Sequence, residues 1–263
     1  MFGFSDIVHK QFNQNFLKTV VFQISFTKIE DFNTKKEEII GLFNAAFPRV
    51  NTPSNSGFET RFNSTETPIV QQVKSDGTIE MKSESGQKVL VIDNSSLSLT
   101  ISGREYKNYT ELKKLIININ KFFEYCDITE THRVAIRKIN IVEFNYSTDS
   151  NSSEIFGTVI NERLLGDSSY LPKSQFINQN MHLLIFEKET YHLNLRYGLN
   201  IPQVPSRSIA QVIIDIDLFN NATTPISDLV LTSDKINKEI FNAFNWSINE
   251  TFLNLLNDVG TDK

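Results

Sequence analysis

The sequence predicts an α+β protein built from curved antiparallel sheets, each packed on a long helix. Three observations carry this. Short alternating apolar runs separated by Asp-Gly, Ser-Gly and Asn-Ser turns fill residues 58–102, the pattern of an antiparallel meander. Two long segments, near 108–125 and from Ser233 onward, repeat apolar residues at helical spacing. The order strand, helix, meander, long helix also occurs twice. Residues 1–127 and 128–263 therefore read as two similar α+β halves, either separate domains or one continuous domain, with no visible identity between them.

The elements follow in order. Residues 1–16 carry Phe2, Phe4, Ile7, Phe12 and Phe16 without a period, which predicts a terminal arm or short helix that docks by its rings. Thr19 to Phe26 is a strand, with Val20, Phe22, Ile24 and Phe26 on one face. Thr34 with Glu37 has the spacing of a capping box. It opens a helix through Ile39, Ile40, Leu42, Phe43, Ala46 and Phe47 that Pro48 ends. A loop at 51–57 leads to strands near 58–63, 68–74, 78–83, 88–93 and 96–102, the strongest hairpin signal being Asp76-Gly77. Asn108 and Glu111 cap a helix reaching about Tyr125, with Leu112, Leu115, Ile116, Ile119, Phe122 and Phe123 in one stripe.

Residues 133–144 then read RVAIRKINIVEF. Val134 and Ile136 share a face opposite Arg137, and the apolar phase slips after Lys138. That predicts a bulge near Lys138–Ile139 or a strand buried on both faces. A helix near 153–165 ends at Gly166. Strands at 175–187 and 190–197 turn at Lys188-Glu189, and 210–218 is a further strand. Ser233 caps a helix carrying Ile236, Ile240, Phe241 and Phe244, and Ser247 with Glu250 opens a last one carrying Phe252, Leu255 and Leu256.

Composition bounds the function. Of 263 residues, 40% are hydrophobic and 22% charged, which is globular rather than disordered. A net charge of −5 argues against a general binder of nucleic acid or anionic membrane. The single Cys126 excludes an intrachain disulfide and a multi-cysteine zinc site, and its place at the end of an apolar stripe suits a small buried hydrophobe. The start lacks a basic and apolar leader, and no stretch reaches the roughly 20 apolar residues of a membrane span. The expected setting is cytoplasmic.

Candidate chemistry is sparse. Asp215 and Asp217, two apart on a strand, project from one face about 7 Å apart, and could hold a divalent cation with a third oxygen ligand. The simpler alternative places Val212, Ile214, Ile216 and Leu218 in the core and the aspartates in water. Glu80 and Lys82 behind Asp76 match the acid–x–lysine pattern of metal-dependent nucleases, but equally the wet face of any hairpin. His9, His132, His182 and His192 include no helical metal spacing, and the turn at 188–189 sets His182 and His192 on opposite faces. Arg133, Arg137 and Lys138, with Arg196 and Arg207, could form an anion- or nucleic-acid-binding strip beside Tyr146 or Tyr197. Cross-strand pairing with Glu143, Glu187 or Asp215 is the alternative. There is no Gly-rich phosphate loop and no nucleophile elbow, so no cofactor is expected.

Five segments form a pattern: VVFQISF with IIGLFNAAFPRV, LSLTISGREYKNYTEL, RVAIRKINIVEF, IIDIDLFNN and IFNAFNWSINETFLNLLND. Together they resemble a sporadically distributed family of uncharacterised prokaryotic proteins of about this length. Where such families carry a Gly-Leu-Arg-Tyr-type centre, this chain has Ala135-Ile136-Arg137-Lys138. The resemblance implies no activity and no catalytic residue. A patchy distribution is common among mobile-island and phage-defence genes.

The expected function is a non-enzymatic binding or assembly module, an accessory or sensor component of a bacterial defence or conflict system. It would have a protein partner or self-associate through Phe2, Phe4, Phe12, Phe16 and Trp246. One alternative is a small apolar ligand held in a cavity between helix and sheet. The other is a metal-dependent hydrolase or nuclease using Asp215, Asp217, Glu80 and Lys82.

Overall fold

The structure, a computed structural model, describes residues 1–8, 12–51, 56–61, 69–74, 77–147, 150–166, 179–202 and 208–257. His9, Asp76 and Arg207, together with the ends of the strands read at 58–63, 68–74 and 175–187, lie outside them.

The protein is α+β, and the antiparallel sheets expected of the two halves are largely one. Its first strands are β1 (Leu17–Phe26), β2 (Arg49–Asn51), β5 (Ile79–Lys82), β6 (Lys88–Ile92) and β7 (Ser96–Ser102). From the second half come β8 (Glu130–Asn145), β9 (Gln179–Lys188), β10 (Tyr191–Asn200), β11 (Ile209–Asn220) and the short β12 (Thr224–Pro225). They make a ten-stranded sheet in the order β2-β5-β6-β7-β1-β8-β11-β10-β9, with β12 beside β8. Among the described residues, strands β3 (Ser56–Arg61) and β4 (Ile69–Lys74) pair only with each other. The boundary read at 127/128 thus falls inside a continuous sheet, because β1 pairs with β8.

Alternation decides what each face carries. Val20, Phe22, Ile24 and Phe26 of β1 are buried, as are Leu97, Leu99 and Ile101 of β7 and Ile214, Ile216 and Leu218 of β11. They join a single core with α1 (Lys36–Phe43), α2 (Tyr109–Tyr125), α3 (Ser152–Val159), α5 (Leu229–Ser247) and α6 (Glu250–Asn257); α4 (Glu162–Leu165) adds Leu164. The opposite face of the central strands has its own small cluster of Ile139, Ile141 and Ile213. So β8 is buried on both faces, and its pairing with β11 runs unbroken from Val134 to Asn145. No bulge interrupts it at Lys138–Ile139. The irregularity nearest that point lies across the pair at Lys18 of β1, where Leu17 faces Asn140 while Thr19 faces Ile139, and a second register shift falls between Ser25 and Phe26. Gly103 allows that bulge: its amide donates to the Lys18 carbonyl at 2.8 Å, and a β-carbon there would strike the Leu17 carbonyl.

The helix starts are partly as read. Asn108 caps α2 by accepting from the Glu111 amide at 3.1 Å. Thr34 does not cap α1: its hydroxyl donates to the Asp31 carbonyl at 2.7 Å, and the helix begins at Lys36. Ser233 lies one turn inside α5, its hydroxyl donating to the Leu229 carbonyl. α6 is capped by Asn249, which accepts from the Phe252 amide at 2.7 Å, and not by Ser247. Among the described residues no helix is long and apolar enough to cross a membrane.

Residues 1–8 and 12–16 form an arm over the C-terminal helices. The amides of Asn13 and Gln14 donate to the Leu256 carbonyl, the Phe2 amide donates to Glu239, and Lys238 pairs with Asp6. The arm's rings turn inward. Phe4 meets Phe186 and Trp246, Phe2 meets Phe186, Phe12 stacks on Phe241, and Phe16 meets Phe252. Phe2, Phe4, Phe12, Phe16 and Trp246 are all half-buried against this chain's own core, rather than standing out as free aromatics.

Candidate functional site

The site begins with two consecutive residues of β8. Because strand side chains alternate, Arg137 and Lys138 leave the backbone on opposite faces, which splits the basic strip read from the sequence.

On the face away from the helices, Arg137 grips Asp215 with both arms of its guanidinium, Nε to Oδ1 at 2.8 Å and the second nitrogen to Oδ2 at 2.7 Å. Arg196 adds a contact at 3.5 Å. Asp215 is 1% exposed, so the pair is a buried fork-to-fork interaction. Asp217, half-buried beside it, has its carboxyl pushed up by burial, opposed by the nearby Arg133 and Arg137. Arg133 lies 4.5 Å over the Phe219 ring and donates to Gln23 at 2.7 Å. His192 stacks on the other side of the same neighbourhood, 5.1 Å from Phe219.

The two aspartates therefore share a face, as their spacing requires, but that face is not open water. The groups gathered around them are arginines, which oppose a cation. No set of three His, Cys, Asp or Glu side chains that could hold a metal ion occurs among the described residues. The rings read as stacking partners are elsewhere. Tyr197 stacks on Phe156 and His182 on the helix face, and Tyr146 is buried in the same core. Phe219 lies with the arginines instead. It sits two residues beyond Asp217, so period two alone could have found it. His182 and His192 do lie on opposite faces. Glu80 pairs with Lys82 at 2.9 Å. Cys126 is buried, and burial raises its thiol pKa to about 11, as fits an inert side chain.

On the helix face, Lys138 projects into a cavity of about 150 Å³. The walls come from six segments: the arm and the first residue of β1 (Phe12, Phe16, Leu17), the turn into α2 and its first residue (Tyr106, Tyr109), β8 (Lys138, Asn140), β11 (Ile216), α5 (Ile240, Phe241, Phe244) and α6 (Leu256). The ammonium of Lys138 donates to Asn237 Oδ1 at 2.7 Å and lies 5.5 Å from the centre of the Tyr106 ring. Among the described residues no carboxylate pairs with it. Burial lowers its pKa from 10.5 to about 8. The nearby carboxylate of Asp234 is held by the Tyr109 hydroxyl at 2.9 Å and by Lys113 at 2.8 Å. Burial pushes the phenols of Tyr106 and Tyr109 well above their usual value, so both are neutral donors at pH 7.

Sequence reasoning missed Tyr106, Tyr109 and Asn237. Tyr106 ends the Gly-Arg-x-Tyr turn and was visible as a turn residue. Nothing local marked it as the lid of a buried lysine. A second cavity, of about 170 Å³, lies between α1, α2, β6 and β7 and is lined by Phe43, Phe47, Leu90, Leu99 and Ile119. Its polar lining residues, Asn118 and Lys121, are both exposed to solvent. No protein-family model matches this chain, and no curated protein matches it.

Proposed function

We propose that this protein is a non-enzymatic binding module that holds a small molecule in the cavity between sheet and helices. The observation that carries the reading is the cavity beside Lys138: about 150 Å³ of space with aromatic and aliphatic walls, broken by amide side chains and two lysines. A space of that size lined by apolar side chains accepts a benzene-sized guest, and apolar walls with few convergent polar groups are the usual character of small-molecule sites. An enzyme would need a nucleophile or base set beside an acid, a second base or a metal. Lys138 could be the first of these, but no described carboxylate, histidine or cysteine lines the cavity with it, which favours binding.

The test is ligand-observed NMR with a panel of small aromatic and aliphatic compounds, on the wild type and on Ile216→Phe, which fills the space. Compounds that bind the wild type and lose binding in the filled variant support the reading. Hits that persist in the variant place binding elsewhere, and a panel without hits sinks it.

A second reading, assembly with another copy, rests on β9. Met181, Leu183 and Ile185 stand out from one face of this end strand, at 37%, 49% and 60% exposure, and among the described residues no strand pairs with its outer edge. Antiparallel pairing of β9 with β9 of a second copy, centred on Leu183, would set Met181 opposite Ile185 in a self-complementary contact. The expected repeat of the two halves finds support in strand order: outward from β1 and β8, the wings run β7-β6-β5 and β11-β10-β9.

A further inference from the structure

Resting on the cavity reading, we infer that the ligand is a small monocarboxylate with a flat or short apolar body, its carboxylate pairing with the Lys138 ammonium. The argument starts from what the lysine lacks. A buried charge is ordinarily paired, and Arg137, one residue away, is paired bidentately. Among the described residues Lys138 has only the neutral Asn237 amide and the face of Tyr106. Lys138 is half-buried at the cavity wall, so an anion brought by a ligand would make an interaction that no described carboxylate makes.

The size and polarity of the site narrow the anion. Phosphate and sulfate esters are held best by arginine forks, and no described arginine lines the cavity. One buried point charge balances one negative charge. Lys107, the other cation of the lining, is exposed at the rim, where water screens it and where it can draw anions in. The hydroxyl of Tyr106 makes no hydrogen bond to any described residue, which leaves a neutral donor for the second carboxylate oxygen. The apolar part of the wall, Phe12, Phe16, Phe241, Phe244, Ile216 and Leu256, offers rings and methyl groups to an apolar body, and Gln14, Asn15, Asn108 and Asn140 supply neutral polar groups beside it.

The test compares acids with their own amides, which match in shape and differ in charge. Benzoate, phenylacetate and hexanoate are titrated calorimetrically against benzamide, phenylacetamide and hexanamide, using the full chain at pH 7, and then with Lys138→Met. We expect the wild type to prefer at least one acid over its amide by tenfold or more. In Lys138→Met that preference should vanish while the amide still binds. Equal binding of acids and amides by the wild type overturns the carboxylate inference and leaves the cavity reading standing. Failure of every acid and every amide overturns both. A preference that survives in Lys138→Met also overturns the inference, because the charge being read is then another one. The acid–amide comparison in the wild type holds whether or not the variant folds.

Discussion

Arg137 and Lys138 are neighbours in the chain and opposites in the fold. One lies on the open side of the sheet, half-buried, its charge matched by Asp215 through two short hydrogen bonds. The other lies on the helix side, its charge matched by no carboxylate among the described residues. The difference separates two uses of a buried cation. A bidentate pair fixes two strands, β8 and β11, in register and is complete without anything else. An unpaired ammonium against an aromatic wall is a stability deficit, and such deficits concentrate where a molecule binds.

Breaking the completed side should have the largest effect. Asp215→Ala takes the bidentate hydrogen-bond partner from Arg137 and one contact from Arg196. Removing one member of a buried pair costs about 3–5 kcal/mol. Urea denaturation should show a loss of that size. A loss below about 1 kcal/mol would mean that water reaches the pair and that the two faces differ less than their geometry suggests.

The unpaired side should respond in the opposite sense. Below pH 8 Lys138 is protonated in both the folded and unfolded chain, and the folded state carries the full penalty. Between its folded pKa of about 8 and the unfolded value of 10.5, the unfolded chain holds a proton that the folded chain has released, so stability rises with pH. The gain from pH 7 to 9.5 should be about 2 kcal/mol. The groups facing Lys138 do not reverse this within the window. Tyr106 and Tyr109 stay protonated because burial raises them, and Asn140 and Asn237 do not titrate. Lys138→Met should lack the rise and be the more stable chain at pH 7. Parallel pH profiles for wild type and variant would show that the ammonium is already compensated.

Phe12→Ala probes the cavity wall with a smaller effect. Its ring stacks on Phe241 at 5.8 Å and meets Phe244 at 6.1 Å, yet it is only half-buried, so the loss should be about 1 kcal/mol. Binding of whichever acid the wild type prefers should weaken more than stability does, because the arm closes one side of the space. Unchanged binding by calorimetry would remove the arm from the site.

What was legible in the sequence is what depends on a single element. The inward faces of β1 and α2 follow from spacing, and Phe22, Ile24, Ile116 and Phe122 are all fully or nearly fully buried. The face of Lys138 was not legible, because the apolar phase of β8 is ambiguous until the bulge is known to lie in the partner strand at Lys18. The pairing of Arg137 with Asp215, 78 residues apart, depends on the β8–β11 register. Neither residue's neighbours reveal that register. Ser233 shows the same limit at a helix start: a serine before an apolar run resembles a cap, but the 3-10 turn Ile226–Asp228 leads into α5 earlier, and the hydroxyl satisfies itself on the preceding turn. The cavity is the extreme case, since six separated segments close it.

The smallest expected effect on stability concerns the end strand, and it separates assembly from ligand binding. Ile185 is 60% exposed, so Ile185→Lys should leave the folding free energy within about 0.5 kcal/mol of wild type. A charged side chain on an end strand is also a common means of keeping strands from pairing edge to edge. If β9 joins a second copy, light scattering should give the wild type twice the 30.2 kDa of one chain and Ile185→Lys a single chain's mass. The same acid should bind both forms equally, since β9 contributes no residue to the wall around Lys138. A wild type of single-chain mass disposes of the assembly reading and leaves the cavity untouched. Loss of ligand binding in Ile185→Lys would instead tie the two together, with the edge acting on the site through β10 and β11.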